Sequence, residues 1–172
     1  SLFFDLGAGC YRNAFTRPAG LTLPIAPAPV ILSHWDADHW KIGLLDPQST
    51  SVPWLAPRQR MGPTHTKFAS RLAAVGNLTI WPSGSASVTC GPVSILKCTG
   101  SGRNHSGLAL SIDVSPDESV LLVGDSAYRY VPSQPGVGVI GLVASHHGGN
   151  HHGDNPVPAC GLGAIVYSYG GS

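Results

Sequence analysis

Short apolar runs, each closed off by turn residues, constrain the fold of this chain more than any other feature. In order they are "SLFFDLG", "APVILS", "VPWLAP", "NLTIWP", "ASVTCGPVSILKCTG", "SGLALSIDV", "SVLLVGDS", "VGVIGLVAS" and "AIVYSYG". Their Val, Ile, Leu and aromatic content and their Gly, Pro, Asn and Asp boundaries are those of strands. Helical patterning is sparse. Its best instance is "TKFASRLAAVG", 66–76, where Phe68, Leu72 and Val75 follow an i, i+4, i+7 spacing and Gly76 suits a C-cap. Shorter helices are expected around "DHWKIGLLD" and "SAYRYVP", and "SPDESV", 115–120, reads as the turn of a hairpin. The pattern has no long-period repeat and predicts an α/β chain, with packed sheets flanked by a few helices in one domain, 1–172.

Composition narrows the function classes. Only 11% of the 172 residues are Asp, Glu, Lys or Arg, against roughly 25% in an ordinary soluble domain. With a net charge of +1 and scattered basic residues, the chain lacks the footprint of a strong nucleic-acid binder. The longest apolar runs fall well short of the ~20 residues that cross a bilayer, so no membrane segment is expected. Cys10, Cys90, Cys98 and Cys160 have no CxxC spacing and are expected to be buried free thiols. The Pro-rich stretch at 17–29 reads as an extended loop. Without an initiating Met or a signal-peptide pattern, the chain reads as a processed product or excised segment, and its compartment stays open.

Against this ion-poor background, "SHWDADHW", 33–40, packs His34, Asp36, Asp38 and His39 into six positions directly after the apolar "APVIL". Metal sites need N and O donors converging from a rigid scaffold, and a buried strand supplies one. On an extended backbone the intervening Trp35 and Ala37 let His34, Asp36 and Asp38 point the same way. A single histidine is more often a satisfied structural residue than a ligand. Four donors in so short a run of a chain this poor in charge are not a solvated surface.

The run resembles the His-x-His-x-Asp-His hallmark of the metallo-β-lactamase superfamily, with Asp36 in place of the second His. That variant is most similar to the soluble metallo-hydrolase domain of the ComEC family of DNA-uptake proteins. Four further blocks carry the resemblance in family order: "LFFDLGAG" (2–9), "RNHSGLALSID" (103–113), "VLLVGDS" (120–126) and "ASHHGG" (144–149). Together they span nearly the whole chain. The resemblance implies a four-layer αββα sandwich trimmed at both ends, because the family's domains start with a hairpin before the first block and continue past the last strand. It further implies that His34, Asp36 and His105 bind one divalent cation, that Asp38, His39 and His147 bind a second, and that Asp125 bridges them. It also implies that His146, which periodicity cannot separate from its neighbour His147, would take the substrate-facing catalytic role and that Asp38 would orient a hydroxide supplied by the cations.

Each assignment has a plainer reading beside it. His105 sits at a loop-to-strand junction where polar capping is ordinary, and Asp125 or Ser126 could cap a following helix. His151 and His152 read as part of a flexible polar loop, or as phosphate contacts. His65 reads as a surface residue without a partner, and Trp35 and Trp40 as packing around the site.

Two cations a few ångströms apart can clamp the attacking and leaving oxygens of an ester. Three carboxylates and a hydroxide balance the charge of two dications, so the site is a weaker anion trap than its two-carboxylate counterpart. The harder oxygen ligand lets manganese or magnesium compete with zinc, the first expectation. The implied function is a metal-dependent phosphodiesterase or nuclease acting on a phosphoester, with single-stranded nucleic acid as one substrate class. Alternatives are a hydrolase of another small ester, lactone or thioester, and a metal-stabilised, non-catalytic module of a larger assembly.

Overall fold

A computed structural model describes residues 1–7, 28–133, 137–148 and 163–167. They form a mixed α/β structure with two sheets and few helices, divided into two units, Ser1–Ser83 and Gly84–Ser172. Each of the nine apolar runs holds a strand, and the longest holds two. Most of the Pro-rich stretch, Cys10, Cys160, His151 and His152 lie outside the described residues.

The first unit carries a parallel sheet, β1 (Phe3–Phe4), β2 (Val30–Ile31), β3 (Trp54–Ala56) and β4 (Leu78–Ile80), in that order. Parallel strands covered on both faces are continuously apolar, and β2 is fully buried as its "VIL" sequence requires. Between β2 and β3 run two single-turn helices, α1 (Ala37–Trp40) and α2 (Ile42–Leu45), and a 3₁₀ turn, Pro47–Ser51. The third helix, α3 (Pro63–Ala74), links β3 to β4.

α3 begins three residues before the periodicity suggested, for local reasons. Pro63 presets φ for the first turn, and His65 reaches back so that its Nδ1 accepts from the Gly62 N–H at 3.1 Å. The helix ends in a left-handed Gly76, with Gly76 N–H donating to Ala73 O and Asn77 N–H to Leu72 O, a Schellman closure. Phe68 and Leu72 are buried as expected, but Val75 falls past the last turn and is 58% exposed.

Aromatic rings fill the core of this unit. Phe68 stacks on Trp40 at 5.2 Å and meets Trp54 edge-on at 5.2 Å. Buried indoles need acceptors, and Trp35, Trp40 and Trp54 donate to the carbonyls of Pro57, Trp35 and Ser49. Trp35 and Trp40 are 0% and 1% exposed, so packing is their role. His65 is not the isolated surface residue expected, since its ring lies 5.2 Å from that of Trp40 and 6.5 Å from that of Trp35.

The second unit carries a six-stranded sheet in the order β10-β9-β8-β7-β6-β5. β5 (Ser87–Cys90), β6 (Val93–Lys97), β7 (Leu108–Ser115) and β8 (Glu118–Leu122) are an antiparallel meander, and the expected 115–120 turn joins β7 to β8. β9 (Gly138–Val143) and β10 (Ala164–Val166) then add in parallel. One more single-turn helix, α4 (Gly102–His105), precedes β7, and "SAYRYVP" forms only a 3₁₀ turn, Tyr128–Tyr130.

The cysteine expectation needs correcting at Cys90. It lies on β5, an edge strand exposed along its whole length, whereas Cys98 is 3% exposed. Burial pushes the Cys98 thiol pKa up, against a smaller opposing effect of its hydrogen bond with Ser126 and of Lys97. Alkylation follows the thiolate. Among the described cysteines, iodoacetamide should therefore modify Cys90 in the native protein and Cys98 only on unfolding, read by peptide mass spectrometry; equal rates would contradict this packing.

Candidate metal centre

Parallel neighbouring strands end side by side, and their carboxyl ends are where α/β sheets collect functional groups. In the first unit this applies to β1 and β2, paired Phe3 to Val30 and Phe4 to Ile31. One strand continues into Asp5, the other through Leu32 into Ser33 and His34. Asp5 adopts φ +63°, a left-handed conformation that Asp tolerates better than most residues, which turns its carboxylate back onto this corner. Its Oδ1 accepts from the Ser33 N–H at 2.6 Å, and its Oδ2 lies 2.7 Å from Ser33 Oγ and 2.7 Å from His39 Nδ1. Ser33 Oγ also lies 2.9 Å from His34 Nδ1.

The Nε2 edges of the same two rings face carboxylates. His34 Nε2 is 3.4 Å from Asp36 Oδ2, and His39 Nε2 is 3.7 Å from Asp38 Oδ2. The rings pack at 4.0 Å between centroids, with His34 1% and His39 4% exposed. The strand-like alternation expected of the motif holds only from His34 to Asp36. Asp36 is the N-cap of α1, so Asp38 and His39 are placed by a helical turn instead.

The end of β1 also fixes α1. Leu6 N–H donates to His39 O at 2.7 Å, and a Cβ built on Gly7 would sit 1.3 Å from Asp38 O. "DLG" thus supplies a carboxylate for the His39 ring and a residue small enough for the α1 backbone to lie against. In the sequence Asp5 and Gly7 stand out only as part of the "LFFDLGAG" block, and Ser33 does not stand out. The available signal was an Asp ending an apolar strand, a group that needs a partner.

In the second unit β8 and β9 form such a parallel pair, with Leu122 opposite Val143. Asp125 follows one and His146 and His147 the other, so all three meet at one end of the sheet. Asp125 is 5% exposed; its Oδ2 lies 3.2 Å from His146 Nδ1 and its Oδ1 3.9 Å from His147 Nε2. The 3₁₀ turn after Asp125 has Ala127 as its N-cap and no side-chain cap, so the capping alternative does not describe this carboxylate. Both histidines have positive φ, 49° and 55°, a strained backbone for successive non-Gly residues. Ser145 holds the turn, donating Oγ–H to Ser126 O at 2.8 Å and N–H to Tyr128 Oη at 3.2 Å.

His105 reaches the same end of this sheet because β7 runs antiparallel to β8. It packs on Tyr130 at 4.9 Å, in a space where a Cβ on Gly100 would approach both residues within 2.7 Å. Lys97, whose amine pKa is lowered by burial, donates to Ser106 O and Cys98 O beside it. The His105 Nδ1 accepts from the Ala127 N–H at 3.2 Å, which makes His105 Nε2 the protonated nitrogen in this geometry. Ligation through Nε2 would require that hydrogen bond to be exchanged.

The chain matches no protein-family model, no curated protein and no solved structure.

The donor chemistry of the two clusters fits a divalent cation. Two ligands about 2.1 Å from one tetrahedral ion stand about 3.4 Å apart. The contacts from His34 to Asp36, His39 to Asp38, His146 to Asp125 and His147 to Asp125 span 3.2 to 3.9 Å. The first unit supplies imidazole nitrogens whose far edges are already tethered, the arrangement that orients metal-binding histidines elsewhere.

Proposed function

We propose that this chain is a metal-dependent hydrolase of phosphodiester bonds, with two divalent cations held by His34, Asp36, Asp38, His39, His105, Asp125 and His147. The observation that carries the reading is the pair of buried imidazoles in the first unit, held at Nδ1 and facing carboxylate oxygens at Nε2. An imidazole nitrogen and a carboxylate oxygen at this separation are a donor pair that a divalent cation takes. The sequence resemblance to metallo-β-lactamase-like domains supplies the dinuclear stoichiometry and the αββα arrangement; both belong to the proposal.

The cations would supply Lewis acidity and an activated water. The chain's own residues do the rest. Asp5 and Ser33 orient the two rings, Asp38, 44% exposed on α1, would orient a water, and His146, half-exposed beside Asp125, would serve a leaving oxygen. A small phosphoester suits the near-neutral charge better than a long nucleic acid, which would need a basic groove.

Chelation followed by refilling is the direct test. Hydrolysis of bis-p-nitrophenyl phosphate should vanish with chelator and return with either zinc or manganese, because Asp36 adds a hard oxygen ligand. Strict dependence on zinc would contradict that role for Asp36. Bound metal with no turnover of any ester would identify a metal-stabilised module instead.

A further inference from the structure

We propose that Asp5 and Ser33 are positioning residues that lock both His34 and His39 as Nδ1–H tautomers, turning two Nε2 lone pairs toward the cation position before any ion arrives. The inference deepens the metal-centre reading and rests on it for its purpose, though not for its geometry.

The proton count allows one arrangement. A carboxylate only accepts, so the His39 Nδ1 that lies 2.7 Å from Asp5 Oδ2 must carry a proton. Ser33 has a single hydroxyl proton and three neighbours within hydrogen-bond distance, Asp5 Oδ2 at 2.7 Å, His34 Nδ1 at 2.9 Å and His39 Nδ1, itself protonated, at 3.3 Å. Were that proton given to His34, two acceptor oxygens would face each other at 2.7 Å with nothing between them. Donated to Asp5, it leaves the Ser33 oxygen to accept from His34 Nδ1–H. Asp5 then receives three donors, the Ser33 N–H, the Ser33 O–H and His39 Nδ1–H, and every close contact is a hydrogen bond.

A competing arrangement would put the protons on Nε2, toward Asp36 and Asp38. The distances decide against it. The Nδ1 contacts of 2.7 and 2.9 Å are of hydrogen-bond length, whereas the Nε2 contacts with Asp36 and Asp38 are 3.4 and 3.7 Å. In this arrangement the Nε2 lone pairs face the carboxylate oxygens of Asp36 and Asp38.

Ser33 is the less expected member. At 1% exposed, it relays the Asp5 carboxylate to a second ring. Outer residues of this kind set ligand affinity over about 10- to 100-fold.

The test uses the full chain, metal-free and ¹⁵N-labelled at histidine, at about pH 8.5, well above the unperturbed imidazole pKa near 6.5. Two-bond ¹⁵N–¹H spectra should report Nδ1–H for both His34 and His39. Ser33→Ala should release His34 alone toward Nε2–H, Asp5→Asn should release His39, and each should weaken zinc binding by about 10- to 100-fold. Thermal melts of the metal-free variants show whether they fold, and wild-type tautomers alone suffice if one does not. Either histidine found as Nε2–H in the wild type, or zinc affinity within twofold of wild type in a folded Ser33→Ala variant, overturns the proposal. Ordered tautomers in a protein that hydrolyses nothing would leave this inference standing and remove the hydrolase reading.

Discussion

Gly7→Ala is expected to destabilise the first unit by about 3 kcal/mol or more, the range of severe overpacking and broken buried contacts. The added Cβ would lie 1.3 Å from Asp38 O and 2.3 Å from Asp38 C, both backbone atoms that no rotamer change can move. Relief requires α1 to shift away from the end of β1. That shift breaks the hydrogen bond from Leu6 N–H to His39 O and pulls the His39 ring from Asp5. Fold and donor geometry therefore fail together, and urea unfolding should show a lower midpoint alongside lost metal binding. Gly76→Ala is the matched control: its φ is +76°, but a Cβ there meets nothing within 4 Å, so the cost should stay near 1 kcal/mol. Equal costs at the two positions would mean that the close approach at Gly7 does not exist.

The contrast between these glycines marks what the sequence makes legible. Strands are local properties, and the apolar runs hold every strand among the described residues. Gly76 was legible as a helix stop because capping acts within a few residues. Gly7 was not, since its constraint comes from Asp38, 31 positions away by residue number. The donor run at 34–39 was legible because several ligand types crowd one segment of an ion-poor chain. Ser33, the residue joining Asp5 to His34, is one of many serines and carries no compositional mark. Val75 shows a periodicity argument running one residue past the helix that it describes, and Cys90 shows a residue type usually buried standing on an exposed edge. Asp38, assigned by alternation along a strand, reaches its position through a helical turn that begins at Ala37.

Asp38→Asn separates chemistry from stability in the way that Gly7→Ala cannot. Its side chain is 44% exposed on the first turn of α1, so the neutral isostere should change folding stability by no more than about 0.5 kcal/mol. Under the proposed function it removes both a ligand and the group that orients the water. Phosphodiester hydrolysis should then fall by about three orders of magnitude or more, at 1.36 kcal/mol per tenfold, with bound metal reduced from two ions toward one. Asp125→Asn should produce a similar loss, because the bridging role would make its carboxylate common to both ions. The sharper measurement is the pair together. If Asp38 and Asp125 serve one dinuclear centre, zinc affinities of the two single variants and the double variant will fail to add by well over 0.5 kcal/mol, the limit for independent sites. Additive losses would mean that the donors at 34–39 and those at 125, 146 and 147 bind metal separately. Such a pair of sites could not clamp both the attacking and the leaving oxygen of one ester.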